Sequence, residues 1–493
     1  MSLTPELTVW RDKIRAYAVG QGLDFFEVVF ELLSWEQINE VAAFGGFPSR
    51  YPHWRFGMEF EHLSKSHAYG LSKIYELVIN NDPSVAYLQE SNEMVDQKLV
   101  MAHVYGHSDF FKNNIFFGHT NRKMIDTMAA HAARVRRHMD RFGQEKVEDF
   151  IDAVLSLENL IDPNRVFLDD KSNRVALPPE EEEPIQVGRI RAKEYLDPFV
   201  NPPSVLEEER QRLEREREER RRIPERPERD VLLFLIHFAP LERWQQDIVD
   251  IIREESYYFL PQMQTKIMNE GWASYWHTKI MTEFALDASE VLDYAEKCAG
   301  VFSMPPGNFN PYKVGLELFR DIERRWDRGQ FGPAWQECED YEAKANWDLG
   351  TGKGKEKIFE VRRLYNDITF LDTFLTPEFC NQQQLFVHRY NERTRRREIS
   401  DREFDMVKAQ LLGSLTNGGQ PIIHVVESNY ENRGELLLEH DHQGLDLDLG
   451  YARATMGNLQ KVWRRPVHIH TYVDGKERIY SHDGSDFKET VVA

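Results

Sequence analysis

The sequence predicts a mainly α-helical body followed by a small C-terminal α+β module. Three observations predict it. Apolar residues recur at helical spacing through residues 5–165 and again from Val231 to about Tyr341. Past Pro421 they alternate with polar ones between turn residues. No run of about 18 apolar residues occurs, so no segment reads as membrane-spanning.

Amphipathic runs at 7–21, 35–44, 96–108, 120–142 and 146–160 predict the first helices. In 57–62, the alternation around Glu59 and Glu61 reads as an edge strand or loop. The acidic, proline-flanked stretch 178–184 opens a linker, which the prolines of 198–203 prolong. Residues 207–222 are almost all Glu and Arg. Glu208/Arg212, Glu216/Arg220 and Glu218/Arg222 stand four apart, a spacing that stabilises a solvated helix by roughly 0.2–0.5 kcal/mol a pair. Such a helix is either a plain surface helix or an arm for a partner. Gly352-Lys-Gly-Lys355 lacks the spacing of a phosphate loop and reads as a hinge. A helix at 357–375 precedes strands at 421–427 and 435–440, a helix at 449–463, and strands at 466–473 and 477–480. Turns at Asn417-Gly-Gly419, Asn432-Arg-Gly434 and Asp474-Gly475 predict an antiparallel sheet. The organisation expected is a first helical half at 1–175, a linker and charged helix at 176–230, a second helical half at 231–348 and the module at 349–493.

The 493 residues are enough for roughly three domains. A formal charge of −21 opposes binding to the phosphates of nucleic acid. Cys298, Cys338 and Cys380 are sparse and in no metal-binding spacing, which suits reduced thiols. Charged residues break up the first 20 positions, so no secretory leader is legible there. The expected location is the cytoplasm.

Two segments carry chemistry. Asp96, Val100, His103 and His107 share one helical face, with the two histidines one turn apart. Met263, Ile267, Glu270, Ser274, His277 and Met281 form a second face. Two imidazoles at i and i+4 with a carboxylate from another helix make the three-ligand, open arrangement of a catalytic zinc ion. Iron or manganese suits the same donors. Ile248, Ile251, Ile252, Glu255 and Phe259 form an apolar stripe with a carboxylate inside it, a setting that raises a carboxyl pKa and favours proton transfer. Glu254 lies one position round the helix, and either glutamate could instead make surface salt bridges.

Other histidines compete. His440 and His442, and likewise His468 and His470, alternate along strands and would form a second metal site if those strands were neighbours; a solvated sheet face explains them equally. His131 and His138 share a stripe with Met124, Met128, Val135 and Phe142 and read as core residues or supporting partners. Asp109 and His119 are alternative ligands near the histidine pair.

Asn269-Glu-Gly-Trp-Ala273 resembles the Asn-Glu-Gly-x-Ala segment that supplies the glutamate ligand in gluzincin-type metallopeptidases. Those enzymes carry a general-base Glu after the first His of the pair, where this chain has Val104. Longer stretches resemble the stage V sporulation protein R (SpoVR) family. They include Tyr51-Pro-His-Trp-Arg-Phe-Gly-Met-Glu59, residues 96–114, His119-Thr-Asn-Arg122, Ile252-Arg-Glu-Glu-Ser-Tyr-Tyr-Phe259, residues 264–277, Asn310-Pro-Tyr-Lys313 and Asn432-Arg-Gly-Glu-Leu436.

That resemblance implies a link to the spore cortex, a peptidoglycan layer. It also implies association with a PrkA-type serine protein kinase and a protein with a von Willebrand A-like domain. Two functions follow as expectations. The first is a gluzincin-like metal-dependent amidase or peptidase acting on peptidoglycan peptides. In it His103, His107 and Glu270 hold Zn²⁺, Glu255 or Glu254 takes the proton of the bound water, and His277 or Tyr257 stabilises the oxyanion. The second is a non-catalytic scaffold or effector for the kinase, with the cluster tying helices together.

Overall fold

The computed structural model describes residues 3–68, 76–168, 187–191, 193, 196–220 and 222–491. The acidic stretch 178–184 lies outside them. In chain order the elements begin with α1 (Pro5–Gly20), β1 (Val28–Leu33), α2 (Trp35–Ala43), α3 (Trp54–Ala68), β2 (Glu76–Ile79), β3 (Ser84–Gln89), α4 (Met94–Asn113) and α5 (Met124–Phe142). Next come α6 (Gln144–Leu155), α7 (Asp197–Val200), α8 (Pro203–Arg220), α9 (Val231–Phe238), α10 (Arg243–Gln264) and α11 (Lys266–Ile280). They continue with α12 (Val291–Val301), α13 (Pro311–Asp327), α14 (Pro333–Gln336), α15 (Tyr341–Ala345), α16 (Gly354–Leu364), α17 (Asp367–Phe374) and α18 (Pro377–Gln383). The last are β4 (Val387–Asn391), β5 (Arg396–Asp401), α19 (Phe404–Leu415), β6 (Ile422–Tyr430), β7 (Glu435–Asp441), α20 (Leu449–Trp463), β8 (Val467–Val473), β9 (Lys476–His482) and β10 (Phe487–Val491).

These elements form two units, each built from two separated stretches of chain: Met1–Arg141 with Tyr258–Gly419, and Phe142–Tyr257 with Gln420–Ala493. In the first unit, α4 and α11 run through a core that includes Tyr105, Phe110, Trp272, Trp276 and Phe319. Nearly every residue of α4 is buried, polar ones included. Two of the charged ones are paired, as burial demands. The Lys98 ammonium meets Glu290 at 2.8 Å and the Ala285 carbonyl at 3.1 Å, and Asp96 meets Lys297 at 2.6 Å. The start of α11 has no capping side chain of its own. Instead the buried Asp367 carboxylate accepts the backbone N–H groups of Ile267 and Met268 at 2.8 and 2.9 Å.

Several local readings are corrected here. The segment holding Glu59 and Glu61 is helical, within α3. The first 165 residues also contain a three-stranded sheet, order β1-β3-β2, with β1 parallel to β3. Its strands are four to six residues long, too short for periodicity to separate them from helix. The run 357–375 is two helices, because Asn366 starts α17 with a capping box shared with Thr369.

The second unit contains the C-terminal sheet, order β10-β9-β8-β7-β6. It is mixed, not antiparallel: β7 and β8 pair in parallel through the crossover helix α20, and the other neighbours are antiparallel. Val425, Leu438, Val467, Ile469 and Tyr480 are buried, as are Leu459 and Trp463 of α20. The expected turns hold, with Asn432, Gly434, Asp474 and Gly475 all at positive φ.

Candidate metal centre

Two close helix approaches build the site. Gly106 of α4 lies against Ala273 of α11, where a Cβ on Gly106 would come within 2.7 Å of the Ala273 Cα. Gly106 sits between His103 and His107, and Ala273 between Glu270 and His277, so this contact sets the four polar side chains facing each other. On the far side of α11, Gly271 meets Gly315 of α13, with room for no side chain on either.

His103, His107 and Glu270 are all buried, and one ligand atom from each lies within 4.8 Å of the others. Glu270 Oε2 stands 3.5 Å from the Nε2 of both histidines. That is too long for a hydrogen bond of ordinary length, and Oε2 is buried without a hydrogen-bond partner. It is the spacing of donors around one ion: two atoms each ~2.0 Å from a tetrahedral centre are ~3.3 Å apart. These three side chains could hold a metal ion.

The other ring nitrogens are engaged. His107 Nδ1 lies 2.9 Å from Asn269 Oδ1, so it carries the hydrogen and donates it, and Nε2 keeps a lone pair aimed at Glu270. His103 Nδ1 lies 2.8 Å from His277 Nδ1. We assign the shared hydrogen to His103, which turns the lone pair of its Nε2 towards Glu270 and leaves His277 protonated at its own Nε2. Burial, then the neighbouring His103, Arg320 and His107, push the His277 pKa well below its usual value, which favours the neutral ring. Burial alone would raise the Glu270 carboxyl, but His107, His103 and Lys266 together hold it well below the usual carboxylate range.

Of the residues expected at the site, the structure brings together His103, His107, Glu270 and His277. Met263 belongs to α10, before a break at Thr265, and is exposed. Glu254, Glu255 and Tyr257 lie on the part of α10 that belongs to the second unit, and neither glutamate is in this group. Glu255 is buried and Glu254 exposed. The Tyr257 hydroxyl lies 2.7 Å from Asp230 Oδ2, and burial followed by Asp230 raises its pKa. Asp109 is a core group: it accepts from Trp272 Nε1–H at 2.8 Å and from the Asp24 backbone N–H at 2.7 Å. His119 is exposed, His131 is buried and His138 is half-buried.

The four strand histidines do not assemble. Leu437 pairs with His468 and Glu439 with His470, so His440, one residue on from Glu439, projects from the opposite sheet face. Each has a local partner instead: His440 meets Thr471, His442 meets Asp446, His470 meets Glu477, and His468 meets both Ser481 and Glu435.

Sequence reasoning missed the roles of Asn269 and Lys266. Lys266 is four residues before Glu270, and its Nζ lies 2.6 Å from Glu270 Oε1. Helical spacing alone could have shown that pair. The role of Asn269 depends on which helix faces it.

Comparison with known proteins gives two family matches: SpoVR like protein over residues 2–420, and SpoVR-like C-terminal domain over residues 421–474. The uncharacterized protein YcgB of Escherichia coli (strain K12) is 32% identical over 417 residues, covering 80% of this chain and 76% of the relative. No solved structure matches.

Proposed function

The chain belongs to the SpoVR family, and on that premise we propose that it is a metal-dependent hydrolase whose ion is bound by His103, His107 and Glu270. The observation that carries this reading is the buried Glu270 Oε2, without a hydrogen bond and 3.5 Å from two imidazole nitrogens. Three acceptor atoms buried against one another are costly unless a cation lies between them. The group has three ligating residues and no fourth among the described residues, which is the count of a catalytic zinc site and not of a closed structural one.

Zinc would supply Lewis acidity and a water acidified towards neutral pH; iron or manganese would suit the same donors. The chain's own part is to aim the ligands, His103 through His277 and His107 through Asn269. A gluzincin-like resemblance of the Asn269–Ala273 segment supports amide hydrolysis, and the family's link to the spore cortex supports peptidoglycan peptides as the substrate class. A PrkA-type serine kinase and a von Willebrand A-domain protein are the partners we propose on the same ground. Among the described residues no helix is long and apolar enough to cross a membrane.

Metal analysis of the purified protein should find about one ion per chain. His107→Ala and Glu270→Ala should each remove it, and Glu255→Gln should keep it. Ions retained by both of the first two variants would reject this ligand set. Defined peptidoglycan fragments, incubated with metal-loaded protein and read by mass spectrometry, should show a cleaved amide. Intact fragments, with the kinase and its companion present, would favour the scaffold.

A further inference from the structure

We propose that Lys266 is a positioning residue that keeps Glu270 a one-oxygen ligand and so preserves the open position on the metal; the inference rests on the metal reading above. The two Glu270 oxygens have different surroundings. Oε1 is held at 2.6 Å by the Lys266 ammonium, whereas Oε2 faces both histidines at 3.5 Å. Lys266 reaches in from the surface, with its side chain 56% exposed against 9% for Glu270, and its Nζ lies 5.7 Å from the centre of the Tyr312 ring.

Helix stability does not account for the pair. Lys266 is the first residue of α11, where the helix dipole disfavours a cation. The order Lys then Glu at i, i+4 is also the less stabilising of the two orientations. A cation at the disfavoured helix end, in the weaker of the two pair orders, points to a task in the site. With Oε1 occupied, the carboxylate cannot swing to chelate the ion through both oxygens. Two imidazoles and one oxygen then leave a coordination site for water or substrate, which a chelating Glu270 would fill.

Cobalt(II) tests this, because its visible absorption weakens as coordination number rises. Cobalt-loaded protein should give the intense spectrum of a four-coordinate centre. Lys266→Met and Lys266→Gln should still bind cobalt but lose intensity severalfold and take up added azide less tightly, and Lys266→Arg should restore both. Unchanged spectra and azide binding in the Met and Gln variants would overturn the inference while the metal reading stands. Loss of cobalt from both would also overturn it, since Lys266 would then be needed to form the site. A chain that binds no cobalt before substitution would overturn the metal reading, and this inference with it.

Discussion

At the scale of single residues, the proposed centre depends on two side chains that touch His103 and His107 from behind. Asn269 and His277 each take a ring hydrogen from a histidine and thereby fix which nitrogen points at Glu270. Asn269→Ala and His277→Ala should therefore weaken metal binding by roughly 10–100-fold, as loss of such partners commonly does. Competition with a coloured chelator would measure it. If His277 instead stabilised an oxyanion, its variant would lose turnover with metal affinity intact. The shared face of His103 and His107 was legible in the sequence, because i, i+4 spacing puts them one helical turn apart. Their partners were not, since a helix face says nothing about which side chains oppose it.

At the scale of elements, the helix contacts are as specific as the ligands. A Cβ on Gly271 would lie 2.4 Å from the Gly315 carbonyl carbon, which is backbone and cannot yield. Gly271→Ala should cost about 1–3 kcal/mol or more in denaturant unfolding and lower the metal content, because α11 must shift with Glu270 on it. The sequence places Gly271 within the Asn269–Ala273 motif, but only the packed helices show why no side chain fits.

The buried cap on α11 gives a pH signature. The Asp367 carboxyl ordinarily titrates at 3.8, and burial raises it to about 7 against the opposing pull of two backbone N–H groups. Between those values the folded chain keeps a proton that the unfolded chain has released. Stability from this group therefore falls as pH rises through the window, by up to roughly 1.4 kcal/mol per unit. Asp367→Asn should remove that fall, and unfolding midpoints measured below, within and above the window would show it.

At the scale of the whole molecule, neither unit is a continuous piece of chain. The C-terminal family match begins at residue 421, next to the start of the second unit's later stretch, but that unit also needs residues 142–257. Within it Phe234 packs 6.0 Å from Trp463, and Glu228 exchanges backbone hydrogen bonds with Val425 at 2.9 and 2.7 Å. A fragment of residues 420–493 should lack these contacts and melt without cooperativity, exposing apolar surface to a reporter dye. A sharp thermal transition in circular dichroism would refute that.

The sequence by itself determined what is local: the helical stripes, the face shared by His103 and His107, and the strand and turn positions near the C-terminus. These follow from side-chain periodicity and from glycine and asparagine at positive φ, which neighbouring residues settle among themselves. Only the tertiary structure decided the parallel pairing of β7 with β8, the opposite faces of His440 and His468, the unit to which Glu255 belongs, and the separate partners of the two Glu270 oxygens. Each of these joins segments distant in sequence, where packing of whole elements selects one arrangement among many that local pattern allows.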